Sequence, residues 1–458
     1  MQFASFTFLF LFFPMTLGIY HLTPQRWKRD VMLAISVLFL LGGGWLAALV
    51  LLLLTAATYG IGLLLEHLRT RKKLSGLVLF GTVLVYLGAL ILLRSNWMQS
   101  WEFSLLRGKD LFPLGLAFFV LQGIGYCTNV RRGKYYAERN WRQLFLYMLF
   151  YPRLIMGPVV PYPVALKSLC EPTFSMQQIG AGMTRFLVGL GKKLLLADNV
   201  GMLFQTVNQV DPSGYSIIAV WLGALAQLVS LYLELSGYAD MAIGLALCYG
   251  VHLPESYGKS LFFPSVTKFA DQWNRTVVQW FSHYVGTRFH GKNQLLHLFA
   301  VTITWGCVGL WYGFRLPTLI FGLGIGFCIW MEHLIGQSKR YVGIRYGITA
   351  LLLSIGAVLL IQPDMTSAWE YLNVMFGMGH FTPGEADKNL LFSYGLVLLL
   401  SVYAASGNWR TVLRLLEEKS WYRMIRIPLT VAAVLLLLCC CTAVLISTGG
   451  TIEMQLML

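Results

Sequence analysis

A chain of 458 residues in which 57% are hydrophobic and only 12% charged is not an ordinary soluble domain, where about 25% of residues carry charge. A mean hydropathy of +0.64 instead marks a polytopic membrane protein. The net charge of +15 would point to nucleic acid in a soluble protein; in a membrane protein it is the Lys and Arg excess of short cytoplasmic loops, and no nucleic-acid partner is expected.

A spanning helix needs about 20 mostly apolar residues. In chain order the predicted spans are residues 3–20, two within 31–66, 74–93, 112–127, 178–197, 216–235, 295–313, 316–334, 345–362, 390–405 and 427–447. Shorter apolar pieces at 142–158 and 238–250 read as re-entrant or half-buried. The expectation is an all-α polytopic protein with about ten to thirteen membrane helices. The first span has no charge before it and is followed by Gln25-Arg26-Trp27-Lys28-Arg29, which places the N-terminus outside. Two further basic clusters, His67 to Lys73 and Arg131-Arg132-Gly133-Lys134, fall on the same side in that scheme. The first span lacks a basic n-region and a small-residue cleavage site, so it reads as an uncleaved helix.

No linker, repeat or low-complexity tract divides the chain, which is expected to form one membrane domain over 1–458. Its largest polar interruption, 251–293, mixes aromatics with Lys, Arg and His. That composition suits amphipathic helices lying in the membrane interface. The eight cysteines, three of them at Cys439-Cys440-Cys441, show no metal-ligand spacing and read mostly as small buried hydrophobes. No metal is expected.

Several local motifs stand in a telling order. They are Phe6 to Pro14, Phe112-Pro113-Leu114-Gly115-Leu116-Ala117-Phe118-Phe119, Tyr151-Pro152-Arg153-Leu154-Ile155-Met156-Gly157-Pro158, and Thr184-Arg185-Phe186 with Gly191-Lys192-Lys193 and Ala197-Asp198-Asn199. Then come Ser236-Gly237-Tyr238-Ala239-Asp240-Met241-Ala242-Ile243-Gly244 and Gly309-Leu310-Trp311-Tyr312-Gly313. Together, within residues 1–335, they resemble the membrane-bound O-acyltransferase family in its bacterial alginate and polysaccharide O-acetyltransferase branch; 336–458 would add C-terminal membrane helices. The resemblance implies helices packed around a central funnel or tunnel. It also implies a cytoplasmic acyl thioester donor such as acetyl-CoA, and an acceptor on the other face: an exported polysaccharide or a protein that relays the acyl group. A bacterial inner-membrane location follows from it.

Two departures bear on the chemistry. The family signature Gly-Leu-Trp-His-Gly carries a histidine where this chain has Tyr312. Upstream, the family's Phe-Trp-Arg-Arg-Trp-His reads Phe269-Ala270-Asp271-Gln272-Trp273-Asn274, so Asn274 replaces a second histidine. Histidine, with an unperturbed pKa of about 6.5, can deprotonate an acceptor hydroxyl near neutral pH. Tyrosine, at about 10, donates a hydrogen bond instead. The candidate catalytic residues are therefore Tyr312, Asn274 and, as a substitute base, His283. Asn274 and His283 fall about 180° apart on an unbroken helix. Trp273, Trp311, Asp240, Arg153 and Arg185 are the candidates facing substrate. Asp240, ionisable within an apolar stretch, is either functional or a structural hydrogen-bonding group. Arg153 and Arg185 could pair with such a carboxylate, meet donor phosphates, or snorkel to the interface. Lys192 and Lys193 could meet coenzyme A phosphates or belong to the cytoplasmic charge excess.

Two functions remain open. One is an acyltransferase subunit with an altered central residue. The other is a family member without transferase chemistry, serving as a scaffold, a channel, or the partner of an active second copy or a polysaccharide synthase.

Overall fold

The computed structural model describes residues 2–94, 115–209, 214–286, 294–336, 341–378 and 383–449. Residues 112–114 of one motif, His290 to Asn293 and His380 lie outside them. The described residues form helices and no strand. In chain order these are α1 (Phe13–Leu22), α2 (Lys28–Leu41), α3 (Trp45–His67), α4 (Lys72–Arg94), α5 (Leu116–Arg132), α6 (Trp141–Leu149), α7 (Tyr151–Leu154), α8 (Tyr162–Cys170), α9 (Met176–Gly191), α10 (Asp198–Gln209) and α11 (Ile217–Cys248). They continue with α12 (Val266–Ala270), α13 (Arg275–Tyr284), α14 (Gln294–Tyr312), α15 (Leu316–Ile335), α16 (Val342–Ile361), α17 (Met365–Asn373), α18 (Glu385–Ser406), α19 (Trp409–Glu417) and α20 (Ser420–Ser447). Eight of the described helices are long and apolar enough to cross a membrane, and the first apolar segment, Phe8–Leu22, is shorter. The protein is an all-α polytopic membrane protein.

α11 is the post of the bundle. Its 32 residues extend roughly 48 Å at 1.5 Å per residue, longer than a bilayer's hydrocarbon core of about 30 Å. It is buried along most of its length. The expected break between a span at 216–235 and a half-buried piece at 238–250 does not exist. Gly237 and Gly244 look like interruptions in sequence, but they are where α9 lies against the post. A Cβ at Gly189 would stand 2.5 Å from the Gly237 carbonyl oxygen, and one at Gly244 would stand 2.6 Å from that of Gly182. Small residues let two backbones approach where lipid supplies no hydrophobic drive for association.

The 142–158 region forms the short buried helices α6 and α7. Beside them the basic segments gather at one end of the bundle. Arg131 donates to Ser75 Oγ (3.3 Å) and the Lys72 carbonyl (3.3 Å). Arg139 meets Glu66 at 2.7 Å and Arg142 meets Asp30 at 3.2 Å.

The described part of the polar interruption carries two short helices, α12 and α13. α12 is pinned to α15, because the Glu332 carboxylate accepts from the Val266 and Thr267 amides at 2.7 and 2.9 Å. Between α12 and α13 the chain turns inward and buries Trp273 and Asn274, while Asp271 and Gln279 remain exposed.

The glycine contact carries a prediction. Gly189→Leu forces a side chain into backbone, so it should cost roughly 1–3 kcal/mol and lower the thermal midpoint of the detergent-solubilised protein by several degrees. Gly81→Leu, where no atom lies within 4 Å of the added Cβ, should not. Equal midpoints for the two variants would rule out the contact as a stabilising one.

Candidate active site

Tyr312 is the last residue of α14. The helix stops there because Gly313 and Arg315 close a tight turn, with the Arg315 amide donating to the Gly313 carbonyl at 2.8 Å. Thr318 Oγ1 donates to the same carbonyl. The turn leaves the phenol pointing at the inward bend between α12 and α13. Its oxygen accepts from Trp273 Nε1 at 2.9 Å and from Asn274 Nδ2 at 3.2 Å. Tyr312, Asn274 and Trp273 are 0%, 1% and 2% exposed, so the centre has no direct access to solvent.

Asn274 is held for this contact at a local cost. Its backbone is left-handed (φ 41°, ψ 52°), a conformation that asparagine tolerates better than most residues. It occupies the N-cap of α13, yet its side chain makes no cap hydrogen bond, forgoing a bond worth about 0.5–2 kcal/mol. The amide is turned to the phenol instead. The bend is fixed by the Arg275 amide donating to the Ser256 carbonyl at 2.7 Å. The Trp273 indole is set by Phe269 (ring centroids 5.1 Å apart) and by the edge of Tyr257 (5.8 Å). Trp311 packs edge-on against Phe118 at 5.0 Å, and its Nε1 is buried without a hydrogen-bond partner among the described residues.

Tyr257 connects this centre to a cavity of about 770 Å³. Its hydroxyl is beside that of Tyr312, and burial, with that neighbour, holds its pKa well above the ordinary phenol value. Arg185, Lys192, Lys259, Arg275 and Arg410 face the cavity, against two carboxylates, Asp240 and Glu255. Arg185 bridges both: its Nη2 lies 2.8 Å from Asp240 and 2.6 Å from Glu255. Lys192 takes the other Asp240 oxygen at 2.6 Å. The cavity therefore keeps a surplus of positive charge suited to an anionic, phosphate-bearing molecule.

The remaining candidates lie elsewhere. His283 is exposed and lines a separate cavity of about 530 Å³ walled by Tyr126, Tyr135, Tyr147, Tyr162, Trp280 and Tyr284. Lys134 Nζ is 2.9 Å from His283 Nε2. Lysine can only donate, so Nε2 accepts and the imidazole carries its proton on Nδ1. Burial lowers its pKa, and the positive charges of Lys134 and Arg132 lower it further. The structure does not bring His283 into the Tyr312 centre. Nor does Arg153 pair with Asp240, as one sequence reading had it. It is fully buried, donating to Gln122 Oε1 at 2.8 Å and to the Tyr147 carbonyl, with its guanidinium 4.7 Å from the Tyr147 ring. No carboxylate pairs with it among the described residues. Lys193 is no part of an exposed charge excess either. It is fully buried between Asp198 (2.5 Å) and Glu234 (2.7 Å). Sequence reasoning missed Glu234 and Glu255. Glu234 carries the same signal as Asp240, a carboxylate inside an apolar run.

The fold and centre define a class: a polytopic membrane protein with a buried Trp-Asn-Tyr centre next to a cationic cavity. Residues 139–346 match the model of MBOAT, the membrane-bound O-acyltransferase family. The chain is 28% identical over 417 residues to a probable alginate O-acetylase of Pseudomonas fluorescens, covering 88% of this chain and 81% of that protein. It is 22% identical over 319 residues to the peptidoglycan O-acetyltransferase of Helicobacter pylori (62% and 60% covered). It is also 22% identical over 223 residues to the teichoic acid D-alanyltransferase of Bacillus subtilis (46% and 56%). Residues 139–346 carry the similarity to the membrane-bound O-acyltransferase family, and the likeness to alginate O-acetylases extends over 88% of the chain.

The His283 environment is directly testable. Lys134→Met removes a positive neighbour, so the His283 titration midpoint should rise, read by NMR of histidine-labelled protein with His283→Gln to assign the signal. Because folding holds this pKa down, protonation opposes the folded state, and the stability loss should begin as pH falls through about 6.5. An unmoved midpoint would remove Lys134 as a cause and leave burial and Arg132.

Proposed function

We propose that the protein moves an acyl group, most simply acetyl, from a cytoplasmic thioester donor to an extracytoplasmic polysaccharide or to a protein that relays it there. The observation that carries this reading is the convergence of Trp273 Nε1 and Asn274 Nδ2 on one oxygen, at 2.9 and 3.2 Å. Two donors at that spacing suit a carbonyl oxygen that gains charge as a tetrahedral intermediate forms. In the proposed reaction an acceptor hydroxyl forms a C–O bond to the thioester carbon, the C–S bond breaks, and the hydroxyl proton ends on the departing sulfur. Tyr312 would serve as a hydrogen-bond donor to the reacting oxygens rather than as a base. The cavity holding Arg185, Lys192, Lys259, Arg275 and Arg410 would receive the phosphates of coenzyme A or of a carrier-protein prosthetic arm. The bundle end that gathers the basic segments would face the cytoplasm, with the N-terminus outside and the chain in a bacterial inner membrane.

A specific observation favours a second reading, a member without transferase chemistry that partners an active acyltransferase or a polysaccharide synthase. The Tyr312 oxygen already fills the two-donor position, and the residue is 0% exposed.

Purified protein assayed with radiolabelled acetyl-CoA separates the two. Under the first reading, wild type turns over, and Tyr312→Phe lowers the rate at least about 100-fold, the scale of losing one donor to a developing oxyanion, while remaining folded. Unchanged transfer by Tyr312→Phe would remove the phenol from the chemistry. A silent wild type that gains thioesterase activity as Tyr312→His would establish the second reading.

A further inference from the structure

We propose that the protein binds one anionic phospholipid at the end of its first helix, with an acyl chain between α1 and α9 and the headgroup phosphate on Arg26, Lys28 and Arg29. Two adjoining cavities carry the inference. The first, of about 430 Å³, is walled by apolar side chains of α9 and of the apolar segment Phe8–Leu22 that contains α1, among them Leu9, Phe13, Leu17, Ile179, Met183 and Leu187. His21 also lines it, but His21 Nε2 is engaged with the Cys248 carbonyl at 3.0 Å. Phe174 and Met176, which also line it, are 53% and 78% exposed. At Gly18 the space is open: no atom lies within 4 Å of where a Cβ would stand.

The second cavity, of about 210 Å³, is lined by Arg26, Lys28 and Arg29 together with Tyr20 and Gln25, and by no carboxylate. The two meet at Phe174. Its ring packs on His21 (4.6 Å) in the first cavity and lies 5.7 Å from Lys28 Nζ of the second. Lys28 is also 5.2 Å from the Tyr20 ring, so its ammonium is held at the junction. None of the three cations has a carboxylate partner among the described residues. The neighbouring Asp30 is taken by Arg142 at 3.2 Å. An apolar slot ending in three uncompensated cations at a membrane boundary complements a diacyl lipid with an anionic headgroup. The inference does not depend on the proposed function.

Native mass spectrometry and thermal shift of the full chain in a neutral detergent test it, with phosphatidylglycerol, phosphatidylcholine and glycerol 3-phosphate as probes. Phosphatidylglycerol should be retained and should raise the melting midpoint by several degrees, while the other two do neither. Lys28→Gln with Arg29→Gln should weaken apparent phosphatidylglycerol binding at least tenfold, and Gly18→Leu, which fills the slot without touching the cations, should do the same. Stabilisation by glycerol 3-phosphate equal to that by the lipid would reduce the site to a free-phosphate site and overturn the lipid occupant. Equal retention of phosphatidylcholine would overturn the headgroup reading. Should the double variant not fold, Gly18→Leu alone decides, and wild-type binding by it overturns the proposal.

Discussion

Two carboxylates carried on one long helix at membrane depth must be answered by cations on the helix beside it. α11 presents Glu234 and Asp240; the segment continuing α9 answers with Lys193 for the first and Lys192 for the second, which Arg185 of α9 also meets. Removing one partner of such a buried pair typically costs 3–5 kcal/mol, because the other charge is left stranded. That requirement fixes the register of α9 against α11, and the glycines at 182, 189, 237 and 244 let the two backbones close to the distance that the short ion pairs demand. A π-helical turn, Lys192–Ala197, lies where the two adjacent lysines reach different carboxylates on the same neighbour. Such turns are rare and frequent at functional sites.

The polar centre hangs from this frame. Arg185, already engaged with Asp240, reaches Glu255 in the loop after α11, and the same loop supplies Ser256 and Tyr257 to the bend that carries Trp273 and Asn274. The ion pairs of the post and the hydrogen bonds around Tyr312 are thus joined by a few residues of chain. The cationic cavity lies between them, and its charge surplus comes from cations that the structural pairs leave uncompensated.

Much of this was legible in the sequence, and the omissions have physical causes. Hydropathy marks long apolar helices whatever they pack against, so most of the spans were readable. It also divided α11 at its glycines, because a small residue at a helix contact and a helix interruption look alike without the partner. Tyr312 and Asn274 stood out through their motifs, and the structure brings them together on one oxygen, which no local pattern states. Tyr257 sits in an irregular loop with no periodicity to flag it. His283 drew attention as a histidine near a missing one, but helical geometry turns it to the opposite side, toward Lys134. Glu234 was overlooked although the rule that singled out Asp240 applies to it equally.

The left-handed backbone at Asn274 has a consequence for how this position can vary. β-Branched and bulky residues are excluded there by sterics, while asparagine, aspartate, histidine and glycine are tolerated. Asparagine belongs to that short set, so the fold itself filters what can stand at this position. Whatever residue stands there presents its polar atoms to Tyr312 at the end of α14, as Asn274 Nδ2 does here. The backbone of the bend thus limits the side chains that can face the end of α14 before any chemistry is considered.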